Sequence, residues 1–169
     1  MVRDAITELQ QRIVISETEP QYGYEGRIWL KPIITTDFTY TVEQISGAQY
    51  GFAENASGYW ESQNKGVSNS CAICRVRLTV NKATTITFGL INWAESTYDY
   101  GLFGALDTAL SLNATADSGA NSYAGIQSAD EVQLEYPNVS PGSHFIDVKF
   151  IKDTSVDKEN DSLQFRIIQ

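Results

Sequence analysis

The stretch that decides the fold lies near the middle of the chain and reads Cys74-Arg75-Val76-Arg77-Leu78-Thr79-Val80. Apolar residues occupy every second position, and charged or polar residues stand between them. Successive side chains of a strand point to opposite faces, so this alternation predicts a β-strand with one face in a core. The same alternation recurs at 86–90, at 144–150 and at 163–167.

Such short alternating runs fill the chain from about residue 37 onward. Gly, Asn, Ser and Asp cluster between the runs, and Pro141-Gly142 predicts a turn. Many short strands at regular spacing favour an all-β domain, an antiparallel β-sandwich of the jelly-roll type, over 37–169. The predicted strands lie around 39–45, 48–53, 58–63, 71–80, 84–93, 98–103, 107–113, 121–127, 130–136, 143–151 and 162–168.

The two cysteines, Cys71 and Cys74, have the C-x-x-C spacing of a redox pair or of half a zinc site. A zinc site needs further ligands, and the sequence has one histidine, His144. Residues three apart on a strand point to opposite faces, too far apart for a disulfide. We therefore predict that Cys74 is a small buried residue in phase with Val76.

The first 14 residues have a different rhythm. Apolar residues recur there at spacings of four, three and four, which is typical of a helix seam: Val2, Ile6, Leu9 and Ile13. So short a helix is marginal in water by itself. We predict that 1–14 forms a helix that docks on another protein or on sister chains, the alternative being packing on its own domain. Residues 15–36 are predicted to be an extended arm, with Trp29 in a short strand stopped by Pro32.

The charge balance excludes two classes of partner. The chain has 169 residues, with 12 Lys and Arg against 21 Asp and Glu, a net charge of -9. Such an acidic body repels phosphate backbones and anionic lipid, so we predict neither nucleic-acid nor membrane binding. No apolar run approaches the roughly 20 residues of a membrane span. The N-terminus does not lead into a secretory signal, which predicts synthesis in the cytoplasm.

Catalytic patterns are weak, and we predict that the protein is not an enzyme. His144 alternates with Ile146 and Val148, so it is expected to cap a core face and not to activate a nucleophile. There is no G-x-S-x-G motif and no glycine-rich phosphate loop. A glycosidase would need a carboxylate pair with one raised pKa, and acidic residues near aromatics offer such pairs by chance: Glu61, Glu95, Asp99 and Asp107.

Two segments combine aromatic rings with polar side chains, as a sugar platform requires. They are 59–65 and 92–100, and the candidate glycan-binding residues in them are Trp60, Glu61, Asn64, Trp93, Tyr98, Asp99 and Tyr100. The alternative is that both tryptophans are core residues, and we expect one of them to be buried.

The acidic loop at 153–161 is a candidate calcium site, because hard oxygen ligands suit Ca²⁺. The candidate ligands are Asp153, Asp157, Asn160 and Asp161. The loop lacks EF-hand spacing and contains Lys158, so the alternative is a solvated turn before the last strand. We predict no other cofactor.

Two segments resemble known families. The arm, from Glu17-Thr18-Glu19-Pro20 to Glu25-Gly26-Arg27-Ile28-Trp29, resembles a segment that recurs in bacteriophage tail, fibre and other virion proteins. The C-terminus is similar to the ends of galactose-binding-like jelly rolls found in carbohydrate-binding modules, through Gly142-Ser143-His144 and Asn160-Asp161-Ser162-Leu163-Gln164-Phe165. Asn160 and Asp161 are adjacent here, whereas that family separates them by one residue.

The resemblances imply a non-enzymatic phage virion protein, made in the bacterial host cytoplasm. It would be a capsid-decoration, head-fibre or tail-fibre component that docks on capsid, portal, neck or tail proteins through its helix and arm, and its jelly roll would contact host surface glycans. Phage fibres imply a trimer, whereas Ile and Leu at the seam favour a dimer in isolated coiled coils. The alternatives are a free-standing carbohydrate-binding module and, third, a glycoside hydrolase.

Overall fold

A computed structural model describes residues 13–15, 28–30, 36–94, 98–124, 130–154 and 161–168. The chain divides into two compact units, residues 1–36 and 37–169. In the first unit, β1 (Ile13–Ile15) pairs in parallel with β2 (Ile28–Leu30), which places Trp29 opposite Val14. Trp29 therefore lies in a short strand, as predicted.

The predicted helix over 1–14 needs one correction. Val2, Ile6 and Leu9 lie outside the described residues. Ile13 and Val14, however, belong to β1 and not to a helix. The run Ile13-Val14-Ile15 consists of β-branched residues, which favour a strand once a neighbouring strand accepts their hydrogen bonds.

The second unit is an antiparallel β-sandwich, as predicted. Its described strands are β3 (Phe38–Gln44), β4 (Phe52–Glu54), β5 (Trp60–Ser62), β6 (Ser70–Val80), β7 (Thr84–Trp93), β8 (Tyr100–Phe103), β9 (Asn121–Ala124), β10 (Val132–Val139), β11 (Gly142–Lys152) and β12 (Ser162–Ile168). One sheet, here called the front sheet, has the order β10-β7-β12-β5-β4. The other, the back sheet, has the order β3-β6-β11-β8-β9.

The pairing between strands is nested. Strand β8 pairs with β9, β7 with β10, β6 with β11 and β5 with β12, always antiparallel. The chain from β5 to β12 thus forms one long antiparallel ribbon that is wound into two sheets. This winding places β12 between β7 and β5 in the front sheet, which brings together strands that are far apart in sequence.

The inner faces of the two sheets share one core. Every second residue of the central strands points into it, including Val76, Phe88, Val148 and Phe165, all fully buried. The phenylalanine rings meet edge to face or tilted, with centroids 5.4 Å apart between Phe88 and Phe103. Such aromatic contacts add specificity to the burial of apolar area.

Part of the outer face of the back sheet is covered by the connection 104–120, whereas outward residues such as Glu43 and Arg77 remain exposed. A second apolar cluster lies in the covered part and contains Cys71, Ile73, Leu102, Leu110 and Ile151. The strand predicted at 107–113 is wrong, because this connection satisfies its backbone differently. Leu110 N donates to the Asp147 carboxylate, Ser111 N donates to the Asp117 carboxylate, and Asp107 has a positive φ of 59°.

The cysteine prediction is confirmed. Cys74 is buried in the shared core, whereas Cys71 is buried on the opposite face in the second cluster, and both thiols are free. Among the described residues, no helix has the length and hydropathy needed to cross a membrane.

Candidate functional site

Most outward side chains of the front sheet are exposed or half-buried, whereas the outward side chains of the back sheet beneath the connection 104–120 are buried. We call the outer face of the front sheet the open face and define it by Tyr59, Glu61, Trp93, Glu131, Gln164 and Arg166. Alternation along β7 and β12 places Phe88, Leu90, Leu163 and Phe165 in the core, so their neighbours must face outward.

Trp93 and Glu61 belong to this face although they come from different segments. Trp93 ends β7, is 38% exposed and stands opposite Ser162 of β12. The Ser162 hydroxyl in turn donates to Glu61 Oε1 on β5 at 3.1 Å. Gln164 Nε2 donates to the same oxygen at 2.9 Å, and Lys65 Nζ lies 2.6 Å from it. The aromatic ring thus lies in one row of outward side chains across the sheet, and the carboxylate and the amide lie in the next row. Neighbouring rows are about 7 Å apart along the strands.

The centre of the open face is a hydrogen-bonded cluster above Gly89. Arg166 Nε and Nη2 donate to the two oxygens of Glu131 at 2.7 and 3.0 Å, and the Tyr59 hydroxyl donates to the same carboxylate. The Arg166 guanidinium lies over the Tyr59 ring, 5.2 Å from its centroid. A Cβ on Gly89 would stand 2.5 Å from Glu131 Cδ, so this position needs glycine for the carboxylate to lie close to the sheet.

Glu61 and Glu131 are held in their ionised form. Burial alone would raise the pKa of Glu61, but the hydrogen bond and charge of Lys65 and the hydrogen bond from Ser162 lower it below its ordinary value. The hydrogen bonds from Arg166 and Tyr59 lower the pKa of Glu131. Ionised carboxylates accept hydrogen bonds strongly, which suits a ligand that is rich in hydroxyls.

Four of the other predicted glycan-binding residues are buried or point away from this face. Trp60 points inward and packs against the core, as expected for one of the two tryptophans. Asn64 is buried and donates to Ser70 Oγ, and Tyr100 packs on the second apolar cluster of the back sheet. Asp99 is buried, whereas Tyr98, in the same connection, is 54% exposed.

Asp99 lies in a buried ionisable group at the end of β11. Its Oδ1 accepts a hydrogen bond from Asp153 N, and Oδ2 has no partner among the described residues. Burial, together with the charge of Asp161, raises the pKa of Asp99 to about 6. Lys152 Nζ lies 3.8 Å from Asp161 Oδ2, and both side chains are buried.

Of the predicted calcium ligands, Asp153 and Asp161 are described, whereas Asp157 and Asn160 lie outside the described residues. Within the part of the chain that the structure describes, no three His, Cys, Asp or Glu side chains gather as metal ligands. A calcium site in this loop stays a prediction.

Four residues of the open face were not among the predicted glycan-binding residues. Tyr59 lies in the predicted segment 59–65 but was not singled out. Gln164 and Arg166 are the outward positions of β12, so alternation with Leu163, Phe165 and Ile167 signals that they are exposed but not that they face a ligand. Glu131 precedes β10 and has no local signal, since its partner Arg166 is 35 positions away. Only the sheet order joins them.

Comparisons with known proteins do not assign a family. No protein-family model matches the sequence, and no curated protein matches it. Among the solved structures that match is one described as "BiXyn10A CBM1 APO", with 11% identity, a TM-score of 0.37, and coverage of 76% of this chain and 86% of that chain.

A second matching structure is the low-affinity xylan-binding module CBM86 from the xylanolytic gut symbiont Roseburia intestinalis. It is 11% identical, with a TM-score of 0.31, and the match covers 78% of this chain and 96% of that chain. Neither structure is described as a phage protein. At this identity and these TM-scores, the similarities assign no ligand to this chain.

Proposed function

We propose that this protein is a non-catalytic glycan-binding module and that the open face is its binding surface. The observation that carries the proposal is that Trp93 and Glu61 lie on the same outer face, on the two strands that flank β12. These residues belong to the two segments in which the sequence pairs aromatic rings with polar groups. The nested strand pairing supports the further assignment of the sandwich to the jelly-roll class.

The chemistry of the face suits a sugar chain. The exposed ring of Trp93 can stack on the apolar face of a pyranose. Beside it, Glu61 offers carboxylate oxygens and Gln164 an amide, so hydroxyl groups find both acceptors and donors. The aromatic and polar groups are fixed on strands and by mutual hydrogen bonds, which lowers the entropy lost on binding.

The electrostatics of the face support binding without hydrolysis. A glycosidase needs one carboxyl group whose pKa is raised so that it can protonate the leaving oxygen. The pKa values of Glu61 and Glu131 are both lowered. Asp99, whose pKa is raised to about 6, is buried and does not belong to the open face.

The test is affinity electrophoresis of the full chain in gels with xylan, mixed-linkage β-glucan or galactomannan. We expect at least one polymer to retard the protein. Trp93→Ala should weaken that binding about fivefold, because ring stacking is worth roughly 1 kcal/mol. Tyr40→Ala is the matched control, since Tyr40 is 36% exposed but lies on β3 of the back sheet.

If Trp93→Ala leaves the retardation unchanged and Tyr40→Ala removes it, the binding site lies elsewhere on the protein. Retardation by no polymer, in these gels and on a glycan array, would overturn the proposal. Turnover of any of these polysaccharides would show an enzyme instead.

The virion role stays a prediction. Its predicted docking residues are Val2, Ile6, Leu9, Ile13 and Trp29. The first three lie outside the described residues, Ile13 and Trp29 lie in β1 and β2, and their docking role, trimer formation and the virion partners are untested. The direct test is whether the chain without residues 1–36 still incorporates into phage particles.

A further inference from the structure

We infer that the open face selects an uncharged polysaccharide over an acidic one. This inference rests on the proposed function and names the ligand class of the same face. It is based on the ion pairs that the cations of the face already make. The described cations of the face are Lys65 and Arg166, and each is already paired with a carboxylate of the face.

The pairing occupies the groups that an acidic sugar would need. Arg166 presents Nε and Nη2 to both oxygens of Glu131, at 2.7 and 3.0 Å. This two-pronged geometry is how arginine recognises a carboxylate, so a uronic acid would have to compete with Glu131 for the guanidinium. Lys65 Nζ, at 2.6 Å from Glu61 Oε1, also has a carboxylate partner already.

The remaining charge of the face repels anions. Glu135, on β10, stands opposite Thr87 of β7 and also faces outward. Among the described residues this gives three carboxylates, Glu61, Glu131 and Glu135, against two cations, on a chain of net charge -9. A polyanion therefore meets repulsion both at a distance and on contact. The hydroxyl groups of an uncharged sugar instead find hydrogen-bond acceptors in these carboxylates.

Gly89 keeps this arrangement in place. Its missing side chain leaves room for the Glu131 carboxylate, which lies over the glycine between Tyr59 and Arg166. The pair is thus built into the sheet surface, and breaking it to capture an anion would also strand the Tyr59 hydroxyl.

The experiment extends the electrophoresis panel with polygalacturonate and alginate at low ionic strength, about 20 mM, where charge attraction is least screened. We expect retardation by an uncharged polymer and none by the two acidic ones. Salt-sensitive binding to an acidic polymer that Trp93→Ala abolishes would overturn this inference but not the glycan-binding function. Absence of binding to the whole panel would overturn the function itself.

A pair of variants tests the role of the cation directly. Glu131→Gln frees Arg166, so binding to polygalacturonate should appear or strengthen at least about tenfold, and about 0.5 M salt should remove it. Glu135→Gln removes the same negative charge without freeing Arg166, so its gain in binding to polygalacturonate should be far smaller. Arg166→Gln in the Glu131→Gln background should abolish the gain. Equal gains in Glu131→Gln and Glu135→Gln, with circular dichroism confirming folded protein, would overturn the inference.

Discussion

The two outer faces of the sandwich carry similar charged residues but use them in opposite ways. On the back sheet, Asp147 and Lys149 are fully buried beneath the connection 104–120. On the front sheet, Glu131 and Arg166 pair with each other and remain in contact with solvent. The difference shows that a charged outward position on a strand says nothing about its role until the segment that covers it is known.

The buried charges of the back sheet hold its cover in place. Lys149 Nζ donates to Ser111 Oγ, to Thr115 O and to Asp117 Oδ2, at 3.2, 2.8 and 2.8 Å. Asp147 accepts two hydrogen bonds from Arg75 and one from Leu110 N. Because burying an unpaired charge is costly, these contacts specify one position for the connection.

The largest effect should come from Lys149→Met. This change keeps the apolar stem but leaves the Asp117 carboxylate and the Thr115 carbonyl without their cation. We expect a loss of about 3 kcal/mol in the free energy of unfolding, measured by urea denaturation, and faster proteolysis within 104–120. Arg166→Met on the open face is the control and should barely move the midpoint, because exposed pairs contribute little. Similar losses in both variants would remove the distinction between the faces.

The next effect separates the two tryptophans of the front sheet. Trp60→Ala should destabilise the protein by about 2 kcal/mol, since Trp60 packs against the shared core but is only partly buried. Trp93→Ala should cost about 0.5 kcal/mol and act on glycan binding. Thermal unfolding followed by circular dichroism measures both. A larger loss for Trp93→Ala would mean that Trp93 is a structural residue.

The smallest effect concerns the edge of the covered connection. His144 Nδ1 lies 2.8 Å from Asp107 Oδ2 and Nε2 lies 3.0 Å from Ser140 O, so both ring nitrogens face acceptors and the protonated ring fits best. The hydrogen bond to Asp107, with that to Ser140, raises the pKa of His144. The stabilisation is therefore complete below the unfolded pKa of about 6.5 and is lost as the pH rises through the higher folded value.

We expect the stability difference between the wild-type chain and His144→Gln to shrink by about 0.5 kcal/mol between about pH 5.5 and 8.5. Urea denaturation of the untagged chain measures it. Asp99, with a pKa raised to about 6, titrates in both proteins and cancels in the difference. A difference that is constant or grows with pH would contradict the contact with Asp107.

Most strands could be predicted from local alternation. The run 84–93 was predicted with the bounds that β7 has, and 162–168 with those of β12. The run 107–113 was not distinguishable from a strand, because its pattern does not reveal that Leu110 N bonds a side chain instead of a strand neighbour. The helix prediction for Ile13 and Val14 was wrong for the opposite reason. The helical spacing of the apolar residues concealed a β-branched run that pairs with β2.

The candidate site was predictable only in pieces. Trp93 and Glu61 stood out because aromatic and polar residues are adjacent in their segments. The inward placement of Trp60, Asn64 and Asp99 could not be predicted from the sequence, since the position of each side chain depends on which side of its strand or loop is covered. Glu131 became part of the site only because Gly89 leaves space for it.

The amino-acid sequence by itself determined the all-β class, the burial of Cys74 and the acidic surface, because strand periodicity and charge are local or additive properties. The tertiary structure alone decided that part of the outer face of the back sheet, with Cys71, is covered and that the face of the front sheet is open. It also decided that β12 lies between β7 and β5, since strand order depends on contacts between residues far apart in the chain, which no local pattern encodes.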